Sequence, residues 1–301
     1  MYLYKAIYQY PSQEERKNEY ERRFYAPSAT RTNLMIRPVD QLENYELFYN
    51  ISEDIFRNAD KIRNNQILLS SLYDKLPTVA QDKLMLEMLV EELKDTNELE
   101  GILSSREEIV STAKKIINNE PTDDRFHSVI SSYLQLFKEA LKLPQDCKDI
   151  KKIYDLITQG EIHKENLPDG ELFRLEPTYV LKKAPFGRNK IHQGVTHEKA
   201  ICDHLQSLLN FINAKEYITI LDIAIAHYYF GYIHPFYDGN GRTSRFISSL
   251  YLRKAFDKLT AISLSQGCLK LKSLYMEAFQ ITNQVTNRGE MDFFIDCFIE
   301  I

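Results

Sequence analysis

The chain has 301 residues, of which 44% are apolar and 27% charged, with a net charge of −5. That length and apolar share suit one large globular domain or two smaller ones. The acidic balance excludes a general affinity for nucleic acid or for an anionic membrane surface. Cys147, Cys202, Cys268 and Cys297 stand apart, with no C-x-x-C pair and no His/Cys cluster at zinc spacing. This pattern excludes a disulfide frame and a structural zinc, and it fits a reducing compartment. The first residues lack the basic start and apolar centre of a cleavable leader. No apolar run approaches the roughly 18 residues of a membrane span. The chain reads as cytoplasmic, with no membrane partner.

Residues 1–40 are rich in Tyr and Arg with weak periodicity, and read as an arm or a short strand. A helix is expected near 44–73, and another runs from Pro77-Thr78 toward Gly101. The capping box Ser105-x-x-Glu108 opens the next. Over 123–141 the apolar residues Phe126, Val129, Ile130, Tyr133, Leu134, Phe137, Ala140 and Leu141 recur at steps of three and four, which predicts a helix. A further helix is expected near 148–159. Leu172 to Val195 differs: it is rich in Phe, Tyr, Val and Ile, carries two prolines and is broken at Ala184-Pro-Phe-Gly187, which signals a hairpin. A lone hairpin is marginal in water unless it packs on something. Helices are expected again near 197–213, 219–232, 241–257, 270–286 and 291–301. The last ends without a C-cap signal, as a chain continuing past Ile301 would read. The expected class is all-α with one small β-hairpin, and a first division falls at 1–77, an N-terminal arm and helical region.

Ile220 to Tyr251 concentrates the chemistry. An apolar helix ends at His234, which precedes Pro235 and is pushed out of helical geometry. Gly239-Asn240-Gly241 can turn successive backbone N–H groups into one concavity. A new helix follows with Arg242 and Arg245 in its first turn, three apart and on one side. Cations there oppose the helix dipole by a few tenths to about 1 kcal/mol each, so a purely structural start would carry Asp or Glu. Two arginines, a glycine nest and a helix N-terminus suit a polyphosphate. Asp238 is placed to ligate the magnesium that accompanies it. His234 is the nearby group able to exchange a proton near neutral pH.

The segment His234-Pro-Phe-Tyr-Asp-Gly-Asn-Gly-Arg-Thr-Ser-Arg245 matches H-x-F-x-[D/E]-G-N-G-R-x-x-R at every defined position, and so resembles the Fic family. The resemblance implies the mainly helical Fic fold, with a core over 122–301, a catalytic loop at 234–245 and the hairpin 172–195 as a flap. In similar proteins that flap clamps an extended target segment by strand addition. The implied activity is protein adenylyltransfer: AMP moves from ATP to a Tyr, Thr or Ser hydroxyl of a target protein, the chain itself included. By that resemblance His234 deprotonates the hydroxyl and Asp238 holds Mg2+. The amides of Gly239, Asn240 and Gly241 bind the α- and β-phosphates. Arg242 and Arg245 meet the phosphates, Arg245 at the γ-phosphate, and Phe236 anchors the loop in the core. Homodimers are common among similar proteins, so a homodimer is a further expectation.

Upstream, Thr96-x-x-x-Glu100-Gly101 matches [S/T]-x-x-x-E-[G/N], the inhibitory motif of self-restrained Fic proteins. The resemblance makes 78–121 an inhibitory-helix region, in which Glu100 pairs with Arg245 and blocks productive seating of the γ-phosphate. Alone, the same residues read as an exposed helix end, with Gly101 as its cap. Three other functions stay open: phosphotransfer of the kind in which Lys stands at the place of Gly241, removal of AMP, and nucleotide binding without turnover. Among the other histidines, His227 reads as hydrogen-bonded and partly buried, and His192, His197 and His204 read as surface residues. Cys297 reads as core filler.

Overall fold

The computed structural model describes residues 2–184 and 187–301, so Pro185 and Phe186, at the expected break in the hairpin, lie outside the described residues. The N-terminal part comprises α1 (Leu3–Ala6), α2 (Gln13–Phe24), strands β1 (Ala29–Ile36) and β2 (Tyr45–Asn50), and then α3 (Glu53–Asp74). Next come α4 (Thr78–Leu99), α5 (Arg106–Ile117), α6 (His127–Phe137) and α7 (Cys147–Thr158). The hairpin strands are β3 (Tyr179–Ala184) and β4 (Gly187–Gln193). The helices α8 (Glu198–Asn213), α9 (Ile220–Ile233), α10 (Asn240–Ala255), α11 (Lys258–Ala261), α12 (Leu264–Lys270), α13 (Lys272–Thr282) and α14 (Asp292–Glu300) complete the chain.

The mainly helical class holds, and the flap hairpin forms as an antiparallel pair from Tyr179↔Gln193 to Ala184↔Gly187. The N-terminal region departs from expectation. Residues 45–50, expected to begin a helix, are a strand paired antiparallel with β1. Thr32, Leu34 and Ile36 are buried at alternate positions of β1, the two-residue period of a half-buried strand. β2 buries Leu47, Phe48 and Tyr49 in succession, and Phe48 also exchanges backbone hydrogen bonds with Gly289 and Met291. Covered on several sides, that segment shows no alternation to read. The helix that follows starts at Glu53, where the Ser52 hydroxyl accepts from the Ile55 amide.

Two other expected helices change length. The one at 123–141 contracts to α6 because Phe126 and Glu139 take left-handed backbone angles at its ends. The one at 270–286 contracts to α13, and the short helices α11 and α12 before it were not expected. At the centre lies α9, buried all round as a helix apolar on every face must be. It packs on α8, α10 and α14. Thr219 and Asp222 form a reciprocal capping box at its start. Its end delivers His234 to the site.

Candidate active site

The site is assembled where α9 ends and α10 begins. His234 caps α9 in a left-handed conformation (φ 52°, ψ 61°), with its amide donating to Phe230 O. Pro235 prevents the helix from continuing. Phe236 is fully buried, stacked on Tyr154 with ring centroids 3.7 Å apart and tilted against Phe173 at 5.4 Å. It therefore sits in the core, where an anchor for the loop should be. Asn240 uses its side chain to lock the turn: Nδ2 donates to Phe236 O at 2.7 Å, and Oδ1 accepts from the Phe236 amide at 2.9 Å. Gly239 takes φ 81°, open to glycine and strained for other residues, and caps α10. Because α10 starts at Asn240, Arg242 lies in its first turn and Arg245 in its second, which corrects the expectation that both occupy the first.

The two arginines, expected to face one way, have different surroundings. Arg245 is buried and bound to the end of α4. Its Nε donates to Thr96 Oγ1 at 2.8 Å, and Nη2 donates to Thr96 O at 3.2 Å and to Glu100 Oε1 at 2.7 Å. Arg242 is 3% exposed, and its Nε and Nη2 find no hydrogen-bond partner among the described residues. Leaving a charged donor buried and unpaired costs on the order of 1–3 kcal/mol or more, so this guanidinium is suited to an incoming anion. Burial pushes the Arg242 pKa down, while Asp238 and Glu100 nearby oppose that. Burial raises the Glu100 carboxyl, but Arg245, Arg242 and His234 outweigh it and hold Glu100 below the ordinary carboxylate range. A Cβ on Gly241 would fall 2.0 Å from Glu100 Oε1, so the carboxylate rests directly over the glycine turn.

Glu100 reaches that place because of how α4 ends. The Gly101 amide donates to Glu98 O and the Ile102 amide to Asn97 O, with Gly101 at φ 74°, the paired pattern of a helix closed by a left-handed glycine. Glu92, Thr96 and Glu100 are four residues apart and share one face. Glu92, which lies outside the motif, is fully buried and accepts from the Ser265 amide and hydroxyl at 2.9 and 2.6 Å. Burial pushes its pKa up to about 7.

Burial, reinforced by the Arg174 charge, drives the His234 pKa down to about 4 against the pull of Glu100 and Asp238. The imidazole is therefore neutral at pH 7 and able to accept a proton. Asp238 Oδ1 accepts from the Gly239 amide at 2.6 Å, so that amide, expected to face phosphate, is turned to the carboxylate here. Among the described residues no group of three or more His, Cys, Asp or Glu side chains could hold a metal ion. One carboxylate suits a magnesium ion carried mainly by phosphate oxygens and water, as such ions commonly are.

Two other histidine readings are corrected. His192 on β4 is buried, with Nε2 2.7 Å from Tyr232 O, and His204 lies 2.6 Å from the Tyr229 hydroxyl through Nδ1. Both pack against the aromatic face of α9, which the spacing of histidines in the chain could not reveal. His197 is exposed, as expected. His227 is fully buried between Ser248 Oγ at 2.9 Å and Tyr275 OH at 2.8 Å. Cys297 is buried. Among the described residues no helix is long and apolar enough to cross a membrane.

A model of the Fic/DOC family matches residues 144–252, a span that contains the whole loop. The chain is 29% identical over 150 residues to the protein adenylyltransferase Fic of Aedes aegypti, covering 50% of this chain and 27% of that protein. It is 28% identical over 148 residues to the namesake from Drosophila ananassae, covering 49% and 27%. The chain thus spans about a quarter of the length of these curated relatives. A crystal structure of a Fic family protein from Desulfovibrio desulfuricans superposes with a TM-score of 0.61 at 15% identity, over 83% of this chain and 72% of that one, a likeness of fold.

Proposed function

From the Fic/DOC family domain at residues 144–252, we propose that this chain is a protein adenylyltransferase that moves AMP from ATP to a Tyr, Thr or Ser hydroxyl of a target protein. The observation that carries the reading is the buried guanidinium of Arg242 in the first turn of α10, whose Nε and Nη2 have no partner among the described residues, on the same loop-to-helix turn as Asp238 and the neutral imidazole of His234. Those groups supply what the transfer needs: a seat for negative charge and a proton acceptor at one turn.

In the proposed reaction the hydroxyl oxygen attacks the α-phosphorus, and its proton passes to the neutral ring of His234. The bond from the α-phosphorus to the bridging oxygen of the β-phosphate breaks, and pyrophosphate leaves. Arg242, the amides of Asn240 and Gly241 and the N-terminal end of α10 hold the phosphate chain, and Asp238 would hold magnesium. When bound, that ion neutralises phosphate charge. Positioning and charge neutralisation supply most of the acceleration in transfers of this kind.

We further propose that Glu100 restrains the activity. Its carboxylate already occupies Arg245, the group assigned to the γ-phosphate, and lies over Gly241. Incubation of the Glu100→Gly variant with ATP labelled at either the α- or the γ-phosphate tests both readings. Label carried from the α-position onto protein, absent in Glu100→Gly/His234→Ala, is the expected result. Transfer of γ-label would make the protein a phosphotransferase, and nucleotide binding without any transfer would make it an adaptor.

A further inference from the structure

Arg174 precedes the flap and is wholly buried, yet among the described residues it hydrogen-bonds only backbone carbonyls. Its Nε donates to His234 O at 2.9 Å, Nη1 to Glu176 O at 2.8 Å, and Nη2 to Val195 O at 2.8 Å and Ile233 O at 3.5 Å. Its own amide donates to Pro235 O at 3.3 Å. These acceptors belong to three stretches of chain: the one entering the hairpin, the one leaving it, and the turn at the end of α9. Carbonyls at a helix end lack intrahelical partners, and a planar guanidinium with five donors can reach several segments at once. The place is held at an evident expense, since burial drags the pKa of Arg174 down to about 10. Space is reserved for it as well: a Cβ on Gly194 would lie 2.4 Å from Arg174 Nη2 and 3.1 Å from His234 Cβ.

We propose that Arg174 is the positioning residue of this site, tying both stems of the flap hairpin to the turn that carries His234. The hairpin and the imidazole of His234 then share one frame. The inference rests on the reading of His234 as the base. Electrostatics adds a second consequence. The charged and titratable groups facing His234 are Arg174 before the flap, His192 on β4, Glu100 at the end of α4 and Asp238 in the loop. Of these Arg174 is the strongest influence, and it disfavours the protonated ring. One side chain therefore fixes where the base stands and keeps it ready.

The test uses the Glu100→Gly protein as parent. In Arg174→Lys the charge remains and the fork is lost. Transfer should fall about a hundredfold, the scale of a misplacement of about 1 Å, while affinity for a non-hydrolysable ATP analogue stays within about twofold and the NMR titration of His234 stays low. In Arg174→Gln the His234 midpoint should rise from about 4 toward the free-histidine value of about 6.5. Unchanged transfer in Arg174→Lys, nucleotide affinity lost in step with transfer, or an unmoved midpoint in Arg174→Gln would each overturn the proposal. Should the Arg174 variants fail to fold, Gly194→Ala displaces Nη2 with the arginine present. Reduced transfer at unchanged nucleotide affinity supports the role, and unchanged transfer overturns it. A parent that transfers no AMP defeats the activity reading instead, and the His234 titration still decides the role of Arg174.

Discussion

Removing the Glu100 carboxylate should weaken the apo protein and strengthen its grip on ATP by comparable amounts. Arg245 and Glu100 meet at 2.7 Å with side-chain exposures of 2% and 27%. Breaking a fully buried pair costs about 3–5 kcal/mol. Glu100 is partly solvated and Arg245 keeps two hydrogen bonds to Thr96, so about 2 kcal/mol is the better expectation. Glu100→Gly should accordingly lower the Tm of the apo protein by several degrees. The same interaction is what the γ-phosphate must displace in the wild type, so ATP should bind the variant about thirtyfold more tightly, the equivalent of about 2 kcal/mol. Calorimetric titration with a non-hydrolysable ATP analogue, beside melting curves with and without it, measures both quantities. Glu100→Gln, which keeps the shape without the charge, should fall between. Equal nucleotide affinity in wild type and Glu100→Gly would refute the competition on which the restraint depends.

Arg242→Met should stabilise the apo protein by about 1–2 kcal/mol, since it removes two buried unpaired donors, and should abolish the stabilisation by ATP. A lower apo Tm in Arg242→Met would contradict the vacant-guanidinium argument. Gly241→Ala drives a Cβ into Glu100 Oε1 and should destabilise by about 1–3 kcal/mol. In the Glu100→Gly background that penalty should shrink, and additive melting shifts would count against the contact. Glu92 holds its proton more tightly when folded, with its pKa raised from 4.5 to about 7. Its contribution to stability is therefore full below 4.5 and is lost as the pH rises through about 7. His192, His227 and His234, all pushed down, act with the opposite sign, so wild type and Glu92→Gln must be compared. The Tm of wild type relative to that of Glu92→Gln should fall between about pH 5 and pH 8, and parallel curves would contradict the assignment.

The loop was legible because its geometry is local. Pro235 after His234, two glycines around Asn240, and Arg242 where a helix start disfavours a cation, each act within a turn of chain. The spacing of Glu92, Thr96 and Glu100 is equally readable as one helix face, although the motif itself covers only Thr96, Glu100 and Gly101. Arg174 gave no such signal: its partners lie 2, 21, 59 and 60 residues away, and it satisfies backbone rather than other side chains. His192 and His204 give no signal for a related reason, because the face of α9 against which they pack is distant in sequence. β2 hid behind three successive buried residues, an apolar run that periodicity cannot divide between helix and strand. Its state is settled by β1 and by residues 289–291, some 240 positions downstream.

A crystal structure of Glu100→Gly with a non-hydrolysable ATP analogue bears most directly on the whole account. It should show the γ-phosphate on Arg245 where the carboxylate was, Arg242 Nε and Nη2 donating to phosphate oxygens, and the α-phosphorus facing the His234 ring. Phosphates seated elsewhere, with Arg242 still unpaired, would contradict it.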